Sequence, residues 1–306
     1  MSGLILGTRG SALAIAQAEL TRAALAHAHP HLAVEQQTFT TRGDQKLDLA
    51  LLQGEAGGKG LFTKELEDAL LAGTIDLAVH SLKDLPGILP DGLHLAAVLE
   101  RAPTADILIT RDPLSFQALP RGGRIGTSSI RRARQIQWLR PDLTIEEWRG
   151  NVGTRLRKLR DLTDVNGIVL AEAGLRRLGY DWSDTRLVTP EGEFHATSLA
   201  AELLPAIGQG AIALESRARD ERVNALLATI NHEPTWTTIR AERELQRLLS
   251  GDCSLPVGVR TKLSGNTLEM SVILFGTPGD PPRKAEGAGS ASEPEKLAQE
   301  VFARLT

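Results

Sequence analysis

The chain has 306 residues, too many for one ordinary hydrophobic core and enough for two or three domains of about 100 residues each. Hydrophobic residues make up 42%, charged residues 24% and aromatics 4%, which excludes disordered and fibrous classes and predicts mainly aliphatic cores. The net charge of -3 hides an asymmetry, because residues 121–160 hold eleven Lys/Arg against three Asp/Glu and so carry +8 while the remainder carries -11; an anionic guest of that region is expected.

From the N-terminus, Leu4-Ile5-Leu6 reads as a buried strand and Ala12 to Ala28 as a helix, with the turn Gly7-Thr8-Arg9-Gly10-Ser11 opening onto the helix start. A second strand is expected near Val34 to Thr40. After the Gly-rich stretch Gly54 to Gly60, a helix is expected from about Thr63 to Ala72, stopped by Gly73. The strand Leu77-Ala78-Val79-His80 then runs into Ser81-Leu82-Lys83-Asp84. Such alternation predicts βαβ units on a largely parallel sheet. A second unit of the same style spans about 103–204, with strands at Ile107-Leu108-Ile109, Arg124-Ile125-Gly126, Thr144 to Trp148 and Ile168 to Ala171. Ile207 to Glu215 reads as a strand with a Gly-Gln-Gly start that returns to the first unit. From about 232 the pattern changes to a long amphipathic helix (Thr237 to Leu249), alternating runs at Val257 to Leu263 and Leu268 to Leu274, a Pro/Gly-rich turn between edge strands at Thr277 to Pro282, and a last helix from Pro294 to Leu305.

The expected fold is therefore α/β: two similar doubly wound lobes flanking a cleft, in the manner of periplasmic binding proteins, plus a small α+β C-terminal domain with an antiparallel sheet. The first lobe takes residues 1–101 and 206–230, the second 102–205, and the third domain 231–306. Two lobes joined by a double crossing form a hinged cleft.

In open α/β sheets, ligands sit beyond the carboxyl ends of strands, where N–H groups at helix starts meet anions. Arg9 with Ser11, Lys83 with Asp84, and Thr127-Ser128-Ser129 with Arg131-Arg132 each follow a strand and couple small donors to a fixed cation. Arg149 and Arg155 flank Gly150-Asn151-Val152-Gly153, and Arg176 and Arg177 follow Ala173-Gly174-Leu175, at junctions of the same kind. One such arginine is ordinarily a solvated surface residue, but the repeated set points to several anionic groups. Asp84, next to Lys83 and expected to be partly buried, is either a turn cap or an acid that holds and passes protons. Cys253, in a Gly-Asp-Cys-Ser loop, is either a structural thiol or a nucleophile whose thiolate nearby cations favour; with no histidine close in sequence, a Cys-His hydrolase is not indicated.

A lone cysteine excludes an internal disulfide and a thiolate metal site, and His27, His29 and His31 read as a solvated helix end, so no metal is expected. No apolar run approaches the roughly 20 residues of a membrane helix, and the N-terminus lacks a basic-then-apolar export pattern, which makes a cytoplasmic location the expectation.

Taken together, the motifs TRGD (Thr41 to Asp44), GGKGLFTKELE (Gly57 to Glu67), AVHSLKDLP, GTSSIRR, RGNVGTRL (Arg149 to Leu156), LAEAGLRRLG, AIGQGAI and GDCSLPVG resemble the porphobilinogen deaminase family, in its order and spacing. The resemblance runs from the first strand to about residue 275. It implies a monomeric three-domain transferase that joins four porphobilinogen molecules head to tail into hydroxymethylbilane, releasing ammonia at each step, in tetrapyrrole biosynthesis. It also implies a dipyrromethane cofactor bound by thioether to Cys253. By the same resemblance Asp84 is the catalytic acid and also contacts the cofactor. Lys83, Thr127, Ser128, Ser129, Arg131, Arg132 and Arg155 hold the cofactor, and Arg9, Ser11, Lys59, Arg149, Arg155, Arg177 and Gln209 hold the substrate. Each pyrrole carries two carboxylates, and such a load cannot enter a low-dielectric cleft unpaired. Glu55 stands where the family often has a second lysine, and the stretch between Asp44 and Gly57 is slightly long, so Asp44 receives no role.

Two rivals remain. A two-lobed anion-binding protein of the periplasmic type would have no use for Cys253 and would need an export signal. A nucleic-acid-binding module would carry aromatic platforms or a basic helix face, whereas these arginines sit in turns. No nucleic-acid partner is expected.

Overall fold

A computed structural model of the chain describes residues 3–40, 63–249 and 256–305. Among the described residues the strands form three sheets. In the first lobe β1 (Leu4–Arg9) pairs in parallel with β2 (Val34–Phe39) and β3 (Leu77–Ser81). Strand β4 (Leu93–Val98) closes the edge, and β12 (Ile212–Arg217) runs antiparallel between β3 and β4. The sheet order is β2-β1-β3-β12-β4.

The second lobe repeats this plan. Strand β6 (Arg124–Gly126) pairs in parallel with β7 (Thr144–Glu146) and β8 (Gly167–Ala171), and β5 (Asp106–Thr110) runs antiparallel between β8 and β11 (Gly192–Ser198). Strands β10 (Arg186–Thr189) and β9 (Asp181–Ser183) extend the edge. Both sheets are thus mixed rather than largely parallel. In each sheet the strand that directly follows a crossing between lobes, β12 or β5, runs against both its neighbours.

Alternation along a strand explains why both faces are covered. Ile107 and Ile109 of β5 join a core with Leu156 and Leu159 of one helix, while Leu108 joins a second core with Ile136 of another. In the first lobe Leu4 and Leu6 face α1 (Ala12–Ala28), and Ala78 meets α2 (Lys64–Leu71) across the sheet. Two apolar faces per sheet are the signature of doubly wound packing.

The third sheet, β13 (Val257–Ser264), β14 (Thr267–Leu274) and β15 (Arg283–Ser290), is antiparallel and packs Val259, Met270 and Val272 against the helices Glu233–Leu248 and Pro294–Ala303. The first of these helices starts earlier than its apolar pattern predicted, because His232 caps it and Pro234 occupies its first turn.

The crossings between lobes, 99–105 and 199–211, are bonded to each other. Ala102 N–H donates to Gly210 O (3.0 Å) and Arg101 Nε to Gln209 O (2.9 Å). Arg101 also grips the buried Glu242 carboxylate through Nη1 (2.7 Å) and Nη2 (3.0 Å), and Gly208 N–H donates to the same group (2.7 Å). The expected strand Ile207 to Glu215 therefore begins only at Ile212. Gly208 (φ +70°) and Gly210 (φ +86°) turn the chain in the left-handed region, and a Cβ on either would overlap Leu82 or the Ala102 carbonyl. Likewise β7 ends at Glu146, two residues short of Trp148.

Candidate active site

The two lobes enclose a cleft of about 1190 Å³. That volume exceeds the usual range for a small-molecule pocket and suits an oligomeric guest. Its lining comes from both lobes and reaches Gln246 and Val257 of the third domain.

Three helices point their N-termini at this cleft. Helix α1 begins after Ser11, whose Oγ accepts from Ala14 N–H; α3 (Ile130–Leu139) begins after Ser129, whose Oγ accepts from Arg132 N–H; and α4 (Val152–Asp161) begins after Asn151, whose side chain accepts from Thr154 N–H. None of the three has an acid in its first turn, whereas each of the other described α-helices has one. The positive ends of α1 and α3 facing the cleft thus carry no acid of their own, as suits anion binding, while at α4 the Glu191 carboxylate lies against Gly153 and lines the cleft too.

Cations surround those ends. Arg9, Lys83, Arg131, Arg132, Arg149, Arg155, Arg157, Lys158 and Arg177 all line the cleft. Arg155 donates through Nε to Gly150 O (2.7 Å), and Arg177 through Nη2 to Gly210 O (2.6 Å). Burial pushes each of these guanidiniums down to about 10; Arg132 adds to the depression of Arg155 and Asp84 opposes it. The half-buried Lys83 amine is pushed down to about 8, chiefly by burial, with Asp84 pulling the other way. Arg149 is more exposed and already pairs with Glu147 (2.6 Å).

Asp84 sits on the one-turn 3-10 helix Leu82–Asp84 that follows β3. It lines the cleft but is exposed, not partly buried as the sequence suggested, because the turn carries it past the end of the sheet. Among the described residues no side chain donates a hydrogen bond to its carboxylate. An acid with free lone pairs amid cations can accept N–H bonds from a guest or offset a developing positive charge.

Arg131 and Arg132 differ from expectation. Both are 5% exposed and both bind a protein carboxylate, Asp106, so only part of their donor capacity faces the cleft. Ser128 donates through Oγ to Trp148 O (2.6 Å). Thr127 is absent from the cleft lining; it is buried behind Ser129, whose N–H donates to the Thr127 hydroxyl (3.1 Å). Gln209 lines the cleft, yet its amide donates to Thr104 O (2.7 Å) and Asp106 Oδ1 (3.0 Å). Cys253 and Lys59 lie outside the described residues, as do Asp44 and Glu55.

Sequence reasoning missed Asp106 and Gln17. The first opens an otherwise apolar strand, and its two arginine partners lie far off in sequence. The second is a buried amide in an alanine-rich helix, and its Nε2 donates to Ser81 Oγ (2.8 Å) just ahead of Lys83.

Comparison with known proteins decides the family. The model "Porphobilinogen deaminase, dipyromethane cofactor binding domain" matches residues 4–225, and "Porphobilinogen deaminase, C-terminal domain" matches 236–306. The chain belongs to the porphobilinogen deaminase family. It is 45% identical to the porphobilinogen deaminase of Syntrophobacter fumaroxidans over 98% of this chain and 93% of that one, and 46% identical to that of Roseiflexus sp. over 96% and 92%. The family match runs to residue 306, past the limit near 275 drawn from the motifs, because β15 and the last helix carry core-forming apolar residues rather than a recognisable polar signature. The periplasmic aliphatic sulphonate binding protein SsuA from Escherichia coli aligns at a TM-score of 0.40 and 14% identity over 82% of this chain and 71% of that one, a likeness that adds nothing to the topology read from the strands.

The residues present fit the family's dipyrromethane cofactor. A guest with several carboxylates and two pyrrole N–H groups needs many cationic donors and a carboxylate acceptor. The cleft supplies the first from both lobes and the second at Asp84.

Proposed function

We propose that this chain makes hydroxymethylbilane from four porphobilinogen molecules, joining them head to tail on a dipyrromethane primer held as a thioether by Cys253. The observation that carries the reading is one exposed acid, Asp84, in a large cleft walled by cations and by three helix N-termini with no acid in their own first turns. Family membership and the names of the relatives support the substrate. Val257, four residues beyond Cys253, lines the same cleft, which supports the tether.

In this reading Lys83, Ser128, Ser129, Arg131, Arg132 and Arg155 hold the acetate and propionate groups of the cofactor, with Thr127 shaping the turn that presents Ser129. Arg9, Ser11, Lys59, Arg149, Arg155, Arg177 and Gln209 serve the incoming substrate and growing chain. When bound, the cofactor supplies a nucleophilic pyrrole carbon. Asp84 accepts the pyrrole N–H bonds of the substrate and stabilises the positive charge that develops as the carbon–nitrogen bond to ammonia breaks. Because the surrounding cations neutralise carboxylates at a distance from that bond, Asp84 is left to act on the reacting ring alone. Water frees the finished chain. A monomer acting in the cytoplasm completes the proposal; no helix among the described residues is long and apolar enough to cross a membrane.

Incubation of the purified protein with porphobilinogen tests it. Release of one ammonia per substrate consumed, with a linear tetrapyrrole as product, is expected. Binding of porphobilinogen with no ammonia release would leave only an anion-binding protein.

A further inference from the structure

Asp106 lies in none of the motifs that mark the family in this sequence. It is the first residue of β5, directly after the first crossing between lobes, and is 1% exposed. Its Oδ2 accepts from Arg131 Nη1 (2.7 Å). Its Oδ1 accepts from Arg132 Nε (3.0 Å), Arg132 Nη2 (2.7 Å) and Gln209 Nε2 (3.0 Å). On their other sides the guanidiniums are held by backbone carbonyls, Arg131 by Leu204 O (2.6 Å) and Arg132 by Val169 O (2.8 Å).

Two consecutive arginines at one helix start repel each other, and neither is stable in a buried wall without a counter-charge. Asp106 supplies that charge. It also fixes geometry, since a forked guanidinium gripped at Nε and Nη2 has little torsional freedom left. The trio presents one net positive charge, and Arg131 Nε is buried without a partner. Gln209 belongs to the second crossing, so the same carboxylate joins the arginine pair to the strand that returns to the first lobe. Burial pushes the Asp106 carboxyl up, but Arg131 and Arg132 together hold it well below the usual carboxylate range, so the group stays charged throughout working pH.

We infer that Asp106 is a positioning residue for the anion-binding wall, setting the direction and the net charge that Arg131 and Arg132 offer to the guest and tying them through Gln209 to the crossing between lobes. This rests on the proposed reading of the cleft. A purely structural counter-charge would need only to be negative, whereas a positioning group must also sit at one distance. The two roles separate in Asp106→Glu, which keeps the charge and moves it by one methylene.

The test is acquisition of the cofactor by apoprotein incubated with porphobilinogen, read by intact mass as the rate at which chains gain the tethered pyrroles, at a temperature where circular dichroism shows each variant folded. Asp106→Asn has one good acceptor oxygen for four donors, and acquisition at least tenfold slower than wild type is expected. In an Arg132→Ala background the same substitution should add less than twofold, because the two act as a unit. Asp106→Glu should slow acquisition at least threefold. If Asp106→Asn does not fold, Asp106→Glu decides alone. Acquisition within twofold of wild type in folded Asp106→Glu, or an equal Asp106→Asn effect with and without Arg132, overturns the inference. Wild-type protein that neither consumes porphobilinogen nor carries added mass defeats the reading of the cleft instead.

Discussion

His80 Nε2 lies 3.0 Å from Glu215 Oε2, and the two side chains are 3% and 0% exposed. The pair bridges neighbouring strands β3 and β12, so the histidine of HSLKDLP ties the sheet together while Lys83 and Asp84, a few residues on, line the cleft. Removing one partner leaves the other buried and uncompensated. His80→Ala should therefore cost at least about 1–3 kcal/mol, read as a lower urea midpoint at unchanged slope.

Asp84 predicts the opposite balance. Its side chain is exposed and accepts no hydrogen bond from the described side chains, so Asp84→Ala should change stability by under about 0.5 kcal/mol and still acquire the cofactor. Turnover should fall by about 10²–10⁴-fold. Porphobilinogen consumption at the wild-type rate would end its catalytic assignment.

Lys83 gives a pH dependence. Burial pushes its amine down to about 8 in the folded protein, so the free enzyme keeps that charge below pH 8 and loses it above. The bound cofactor's carboxylates would favour the charged amine, so the effect belongs to the apoprotein, whose acquisition of the cofactor should fall above about pH 8. The stability effect has the other sign: between the folded value and the ordinary lysine value near about 10.4 the unfolded chain holds more protons, so stability gains with rising pH. Lys83→Arg should remove that limb. An identical limb in that variant would assign it to another group or to the substrate amine.

The arginines should not be equivalent. Arg155 and Arg177 are half-buried and each is anchored by one backbone carbonyl, whereas Arg149 is exposed and paired with Glu147. Substrate KM should rise at least tenfold for Arg155→Ala or Arg177→Ala and less than threefold for Arg149→Ala, since exposed pairs contribute little. Equal effects in all three would show that exposure does not rank them.

Much of this was legible in the sequence because it depends on local pattern. Helix α1 matches its expected bounds, and Arg124-Ile125-Gly126 is β6 residue for residue. Strands β4, β9, β10 and β11 escaped notice, and β15 was expected only as an edge strand without bounds after the turn at Thr277 to Pro282; they are short, edge-lying or interrupted by polar and glycine residues, so tertiary pairing rather than pattern makes them strands. At the site, strand ends and helix starts located Arg9, Ser11, Lys83, Asp84, Ser129 and Arg155 around one cleft. Asp106 was invisible to that reasoning because its partners are 25 and 26 residues away in sequence and nothing local marks a buried acid as the partner of two arginines.

Intact-mass measurement of protein purified from cells able to make porphobilinogen tests the central claim most directly. A mass above that of the sequence by two linked pyrrole units, absent from Cys253→Ala, is predicted. A wild-type chain at its bare sequence mass, or the same excess in Cys253→Ala, would contradict it.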